Sequence, residues 1–215
     1  MTSATARRTA VRCSRVTSDA ELLEAWRAGD PTAGRALFER HIGLLSRFFR
    51  NKAGDETEEL IQRTFLACVE SRDRVRDGAA FRTYLLRVAR SKLYKHYASV
   101  RPQVELDAMS VSIADLQPSP SVVLAQRQHD RALLEALRCL PLELQLAIEL
   151  HYWEGMSTAE LAELLELPQG TVKTRLMRAR ERLREALAAA LASGVPDDDE
   201  HLDAWARSLR ALVVA

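Results

Sequence analysis

The stretch from Met156 to Leu187, MSTAELAELLELPQGTVKTRLMRARERLREAL, constrains the fold more than any other part of this chain. Ser157-Thr158-Ala159-Glu160 spells a capping box, in which a hydroxyl and a carboxylate satisfy two of the backbone N–H groups left open at a helix start. The short helix it opens carries Leu161, Ala162, Leu164 and Leu165. Leu167-Pro168-Gln169-Gly170 breaks that helix, since proline has no N–H to donate and clashes with the preceding turn. Thr171 is then placed to cap a second, longer helix. Two helices across a short turn, the second of them basic, form a helix-turn-helix pattern of the kind that docks on duplex DNA.

The second helix has two faces. At about 100° per residue, Val172, Leu176, Ala179, Leu183 and Leu187 fall in one narrow stripe. Thr174, Met177, Arg178 and Glu181 point the opposite way, flanked by Lys173, Arg175, Arg182 and Arg184. Such a helix packs on one side and can meet phosphates on the other. Charge alone fits a solvated face equally well. The capped helix and tight turn in front of it favour DNA.

Composition sets the class around this motif. The 215 residues include only eight glycines, and Ala, Leu, Arg and Glu dominate, so an all-helical protein is expected. Net charge is +1, so any nucleic-acid signal lies in the local distribution rather than the total. Cys13, Cys68 and Cys139 are far apart and form no CxxC pair, which argues for a reducing cytosol without disulfides or a zinc site. The first residues lack the apolar segment of a secretory signal. No stretch approaches the roughly 18 apolar residues of a membrane span. A cytoplasmic protein without membrane insertion is expected.

Taken in order, the chain divides into modules. Residues 1–17 form a basic tail with Arg7, Arg8, Arg12 and Arg15 and no acid, and are expected to be disordered. A helical module over 18–100 opens on a second capping box, Ser18-Asp19-Ala20-Glu21, before Leu22, Leu23 and Trp26. Pro31 starts the next helix, over about Thr32–Asn51, with Leu37, Phe38, His41, Leu44, Leu45, Phe48 and Phe49 at three- and four-residue spacings. His41 reads as a histidine at the core edge, since no second ligand stands at metal spacing. The helix over Glu56–Ser71 has an apolar set wider than one stripe, which fits either a central core helix or a face that meets a partner.

From Arg82 to Val104 there is no acid, while Arg82, Arg87, Arg90, Lys92, Lys95 and Arg101 are interleaved with Tyr84, Tyr94, His96 and Tyr97. Rings that stack on bases and cations that follow the backbone are what single-stranded DNA binding requires. Core tyrosines with solvated cations are the plainer reading of the same residues. Residues 101–122, with Pro102, Pro118 and Pro120, read as a flexible linker. A second module over 123–192 holds helices at about Val123–Leu140 and Leu142–Trp153, followed by the helix-turn-helix. Residues 193–215 combine an acidic hinge at Asp197–Glu200 with an amphipathic helix of Leu202, Trp205, Leu209, Leu212 and Val213. Whether the two modules pack together is left open by the sequence.

Glu58–Cys68 (EELIQRTFLAC), Phe81–Arg90 (FRTYLLRVAR) and Leu140–Leu187 together resemble the conserved regions of bacterial RNA polymerase sigma factors, in particular the extracytoplasmic function group of the sigma-70 family. The resemblance implies two small helical domains, region 2-like and region 4-like. It implies that Glu58, Glu59, Leu60, Gln62, Phe65 and Leu66 sit against the beta-prime clamp helices of the polymerase core, with the beta flap as a further contact. It implies that Arg74, Arg76 and Asp77 belong to a loop capturing a flipped base of the minus-ten element, with Arg82, Tyr84, Arg87, Lys92 and Tyr94 along the melted strand. Thr171, Lys173, Thr174, Arg175, Arg178 and Arg182 would meet the minus-thirty-five duplex. Promoter DNA and an anti-sigma protein are the other partners implied. The chain departs from the family pattern at Tyr84, where Trp is usual, and at Ser91, where Asn is usual.

Two classes of function therefore compete. One is an initiation factor that binds polymerase and melts promoters. The other is a stand-alone helix-turn-helix regulator whose N-terminal module senses a ligand or partner. An enzyme is not expected: the sequence offers no P-loop, no catalytic constellation, no metal site and no cofactor motif.

Overall fold

In the computed structural model, which describes residues 17–72, 81–100, 111–116 and 134–190, both capping boxes form. Ser18 accepts the Glu21 N–H at 3.2 Å and Glu21 returns the bond to the Ser18 N–H at 2.8 Å, opening α1 (Asp19–Arg27). Asp30 caps α2 (Pro31–Ala53) by accepting the Thr32 N–H at 2.8 Å, with Pro31 in the first turn where its missing donor is not needed. The helix runs slightly further at each end than its hydrophobic spacing alone suggests. A 3₁₀ turn at Gly54–Glu56 leads into α3 (Thr57–Glu70), and α4 spans Phe81–Val100.

The C-terminal half has a short α5 (Ile113–Leu116), α6 (described over 134–138), α7 (Leu142–Tyr152), α8 (Thr158–Leu165) and α9 (Gln169–Ala190). The described residues contain no strand, only an isolated bridge between Ser112 and Pro141. The expected all-helical class is what forms.

Two details differ from the sequence reading, and a third concerns the packing that the sequence leaves open. Helix α9 begins at Gln169, directly after Pro168, so Thr171 lies inside its first turn and donates its N–H to the Pro168 carbonyl at 2.9 Å instead of capping. Proline's fixed φ already suits a helix entry, so the helix starts three residues earlier than a threonine cap would require. Second, Ile113, within the stretch read as linker, is fully buried, and the neighbouring Val111 carbonyl accepts the Leu142 N–H at 3.0 Å. Third, the two modules are packed together.

That packing is organised by α7, LELQLAIELHY. A helix with apolar residues around most of its circumference belongs in an interior, and every residue from Leu142 to Leu150 is buried, Glu143, Gln145 and Glu149 included. Leu142, Leu146, Ala147 and Leu150 join a core that includes Leu23, Leu37, Leu45, Phe49, Leu85 and Leu93 of the first module. Leu144 and Ile148 point the other way, into a second cluster with Leu137, Leu140, Trp153, Ala179, Leu183 and Leu187. Each fully buried leucine contributes about 1.5–3 kcal/mol, so α7 holds both modules by ordinary hydrophobic burial. Within the first module, Gly34 lets α1 lie close on α2, since a Cβ there would stand 2.6 Å from the Trp26 indole.

Among the described residues, no helix is long and apolar enough to cross a membrane.

Candidate partner and nucleic-acid interfaces

Helix α3 separates its residues into two faces. Leu60, Ile61, Thr64 and Cys68 are buried. Glu58, Gln62, Phe65, Leu66 and Val69 share the opposite side, within an arc of roughly 100°. Of these Glu58, Gln62, Leu66 and Val69 are exposed, Leu66 at 59%. Phe65 is half-buried, its ring 4.5 Å from that of Phe38, which meets Trp26 edge-on at 5.1 Å. Glu59 is exposed and paired along the helix with Arg63 at 2.7 Å. Leu60 is core, 1% exposed, because it falls on the inner stripe with Thr64 and Cys68; it cannot itself touch a partner. A large apolar side chain held out of the core beside acids and an amide is a patch suited to a protein partner.

Helix α9 presents a second surface. Val172, Leu176, Ala179, Leu183 and Leu187 are all at most 2% exposed, as their spacing predicts. Thr171, Lys173, Thr174, Met177, Arg178, Glu181 and Arg182 are exposed. The Thr174 hydroxyl donates to the Gly170 carbonyl at 3.0 Å. Met177, 58% exposed, adds an apolar group between the cations. Helix α8 supports this face: its cap at Ser157 holds the Glu160 carboxyl below the usual carboxylate range through hydrogen bonds. Gln169 also ties the start of α9 to Thr158 at 2.7 Å. Arg175 leaves the cationic face; its side chain is largely buried and bonds the Glu143 carboxylate of α7.

The cations and rings of α4 have a different fate. Phe81, Leu85, Leu86, Ala89, Leu93 and Tyr97 are core, while Arg82, Tyr84, Arg87, Lys92 and Tyr94 are half-buried. Arg82 donates to the Glu154 carbonyl at 2.5 Å and lies 3.3 Å from its carboxylate, which also takes Arg47 in two bonds at 2.7 and 3.0 Å. Arg87 donates to the Glu163 carbonyl at 2.8 Å and stands 3.7 Å from Glu166. Arg90, 5.0 Å over the Tyr94 ring, donates to Glu143 at 2.6 and 3.1 Å, and the Tyr94 hydroxyl donates to the same oxygen. Burial alone would raise the Glu143 carboxyl. Hydrogen bonds from Tyr94 and Arg90 and the charges of Arg90 and Arg175 outweigh it and hold the group below the ordinary carboxylate value. Burial, then the Glu143 charge, pushes the Tyr94 phenol up.

Deeper still, fully buried Lys52 bonds Glu149 and the Phe48 carbonyl, the latter at 2.6 Å. Glu149 also accepts from Asn51 at 3.2 Å and Gln145 at 2.6 Å. Sequence reasoning passed over Glu143, Glu149 and Glu154. The available signal was a pair of acids inside a helix otherwise apolar on every side, which cannot be buried without cationic partners.

His41 stands where the sequence placed it, at the core edge, with Nε2 2.6 Å from Asp19. Among the described residues, no group of three or more His, Cys, Asp or Glu is arranged to hold a metal. Cys68 is buried, and burial pushes its thiol up to about 12; Cys139 is exposed, and both are free. Arg74, Arg76 and Asp77, the basic tail, Cys13 and the acidic hinge with its final helix lie outside the described residues.

The family described as Sigma-70 region 2 matches residues 37–102, and that described as Sigma-70, region 4 matches residues 130–183. The chain is 28% identical over 184 residues to the ECF RNA polymerase sigma-E factor of Haemophilus influenzae, covering 79% of this chain and 95% of that one. It is 26% identical over 187 residues to the RNA polymerase sigma-H factor of Pseudomonas aeruginosa, covering 80% and 95%. Among solved structures, the fold is similar to that of CnrH in its complex with the cytosolic domain of CnrY, with a TM-score of 0.58 at 24% identity over 80% of this chain and 97% of that one.

Proposed function

We propose a division of labour within this chain, which belongs to the extracytoplasmic function group of the sigma-70 family. It is a transcription initiation sigma factor, a protein that brings RNA polymerase core to promoter DNA. Matches to both sigma regions in one chain set aside the stand-alone regulator.

In the proposed division, the outer face of α3, with Glu58, Glu59, Gln62, Phe65 and Leu66, docks on the beta-prime clamp helices. Leu66, uncovered beside the exposed Val69 on the outer face of a helix whose inner apolar residues are packed, is the observation that carries this assignment. Leu60 supports that face from beneath. The second module meets the beta flap. Residues Arg74, Arg76 and Asp77 capture a minus-ten base, and α4 lines the melted strand with Arg82, Tyr84, Arg87, Lys92 and Tyr94. Extruding a base costs a few kcal/mol of stacking, which a pocket and backbone cations offset. Helix α9 reads the minus-thirty-five duplex with Lys173, Thr174, Arg178 and Arg182, Thr171 lying at its N-terminal end, where backbone N–H groups favour phosphate. Arg175 joins them only after leaving Glu143. The protein works in the cytoplasm, carries out no reaction of its own and is held in check by an anti-sigma protein.

The test is size-exclusion of purified protein with bacterial core polymerase at moderate salt. Co-elution is expected. Leu66→Asp should weaken it by roughly tenfold or more, the equivalent of about 1.4 kcal/mol, with an unchanged melting temperature. Retained affinity in that variant would move the docking face off α3.

A further inference from the structure

Among the described residues, Ile42, Leu66, Val69, Val100 and Met177 are the exposed large apolar side chains, and Met177 alone of them lies in the helix-turn-helix. It does not serve the core. Met156, just before α8, is buried, whereas Met177 is 58% exposed on the side of α9 opposite its apolar stripe. One turn before it stand Lys173 and Thr174, next to it Arg178, and one turn after it Glu181, all exposed. Lysine and arginine head groups suit phosphates, which fix the position of a helix but carry no sequence. Met177 has no N–H or O–H to offer a phosphate. An unbranched thioether gains there only by covering something apolar. In the major groove the base edges have one apolar feature, the C5-methyl group of thymine.

Thr174 sharpens the assignment. Its hydroxyl hydrogen goes to the Gly170 carbonyl at 3.0 Å, so towards the groove the oxygen can only accept. Acceptors in the groove meet the amino group of adenine or cytosine. A donor and a methyl group on one edge are what an A·T pair presents; a G·C pair has the donor without the methyl. We infer that Met177 determines specificity within the upstream element by covering the C5-methyl group of a thymine, while the cations around it hold α9 in the groove. The inference rests on the assignment of α9 to the minus-thirty-five duplex. Removing one methyl group from water changes affinity about fourfold. Met177 therefore discriminates between bases more than it anchors the helix.

The experiment uses the full chain on core polymerase, with binding read by fluorescence anisotropy. The probe is the duplex that this complex selects from DNA randomised over the upstream element. Each thymine of that element, on either strand, is replaced singly by deoxyuridine, which removes the methyl group and keeps the base pair. Expected is roughly fourfold weaker binding at one position, with Met177→Ala indifferent to the methyl group there and Met177→Leu still sensitive to it. Both variants alter an exposed side chain, so an unchanged melting temperature is expected of each. A selected element without thymine overturns the inference. So does a methyl effect at no position, or one that persists in Met177→Ala. Arg178→Ala then tells the failures apart. If it weakens binding to the same duplex, α9 reads the element and only the role of Met177 is refuted; if it leaves binding unmoved, the assignment of α9 has failed.

Discussion

Helices α4 and α9 both carry many cations, yet Arg82, Arg87 and Arg90 of α4 are bonded within the protein while Lys173, Arg178 and Arg182 of α9 face solvent. In α9 the apolar stripe and the cationic face are opposite, so burying Val172, Leu176, Ala179, Leu183 and Leu187 turns Lys173, Arg178 and Arg182 outward. In α4 apolar residues are spread wider, and Arg82, Arg87 and Arg90 flank a seam that α7 and α8 fill. A cationic helix thus announces that it needs anions, while its neighbours decide whether those anions are carboxylates of the same chain. Arg175 makes the point within one helix: it turns from the outer face to the Glu143 carboxylate of α7.

The comparison can be broken most forcefully at its deepest contact. Glu149→Ala leaves Lys52 buried without its counter-charge, which is expected to lower stability by about 3–5 kcal/mol, read by chemical denaturation. A loss below about 1 kcal/mol would mean that the modules are not held together by this pair in solution. Next in size is the contrast between the two helices. Arg178→Ala should weaken binding to a promoter duplex by about 1–3 kcal/mol and change stability by no more than about 0.5 kcal/mol. Arg90→Ala should reverse the pattern, lowering stability by about 1–3 kcal/mol with duplex affinity unmoved.

The smallest effect is that of pH. The Glu143 carboxyl is held below its ordinary value of 4.5 in the packed protein. Its contribution is therefore complete above that value and is lost as pH falls through the lower, folded value. The groups facing it are Arg90, Tyr94 and Arg175, of which neither arginine titrates in this range. Thermal melts of wild type and Glu143→Gln should converge as pH falls through the lowered value of the folded carboxyl and separate above it. Parallel curves would show that Glu143 adds nothing to the packing.

Much of this was legible in the sequence because it is local. The capping boxes at Ser18 and Ser157 need only a residue three places away, and the α9 stripe needs only a period. Ile113 was hidden because a four-residue helix carries no periodicity to read. Thr171 misled because two start signals, Pro168 and a threonine, stand three residues apart. The inward turn of Arg175 and the burial of Lys52 were not legible at all, since their partners Glu143 and Glu149 lie 32 and 97 residues away. For the interfaces, pattern located the α3 and α9 faces, whereas the covering of α4 depends on how two modules meet. The loop of Arg74, Arg76 and Asp77 lies outside the described residues.

The most direct test of the central claim is transcription itself. Core polymerase is mixed with this protein on a DNA library randomised at the two promoter elements, and the transcripts are sequenced. The account predicts initiation downstream of one recurring pair of elements, with Arg178→Ala relaxing the upstream element alone. Transcription no greater than that of core polymerase by itself, from a core that responds to another sigma factor, would contradict it.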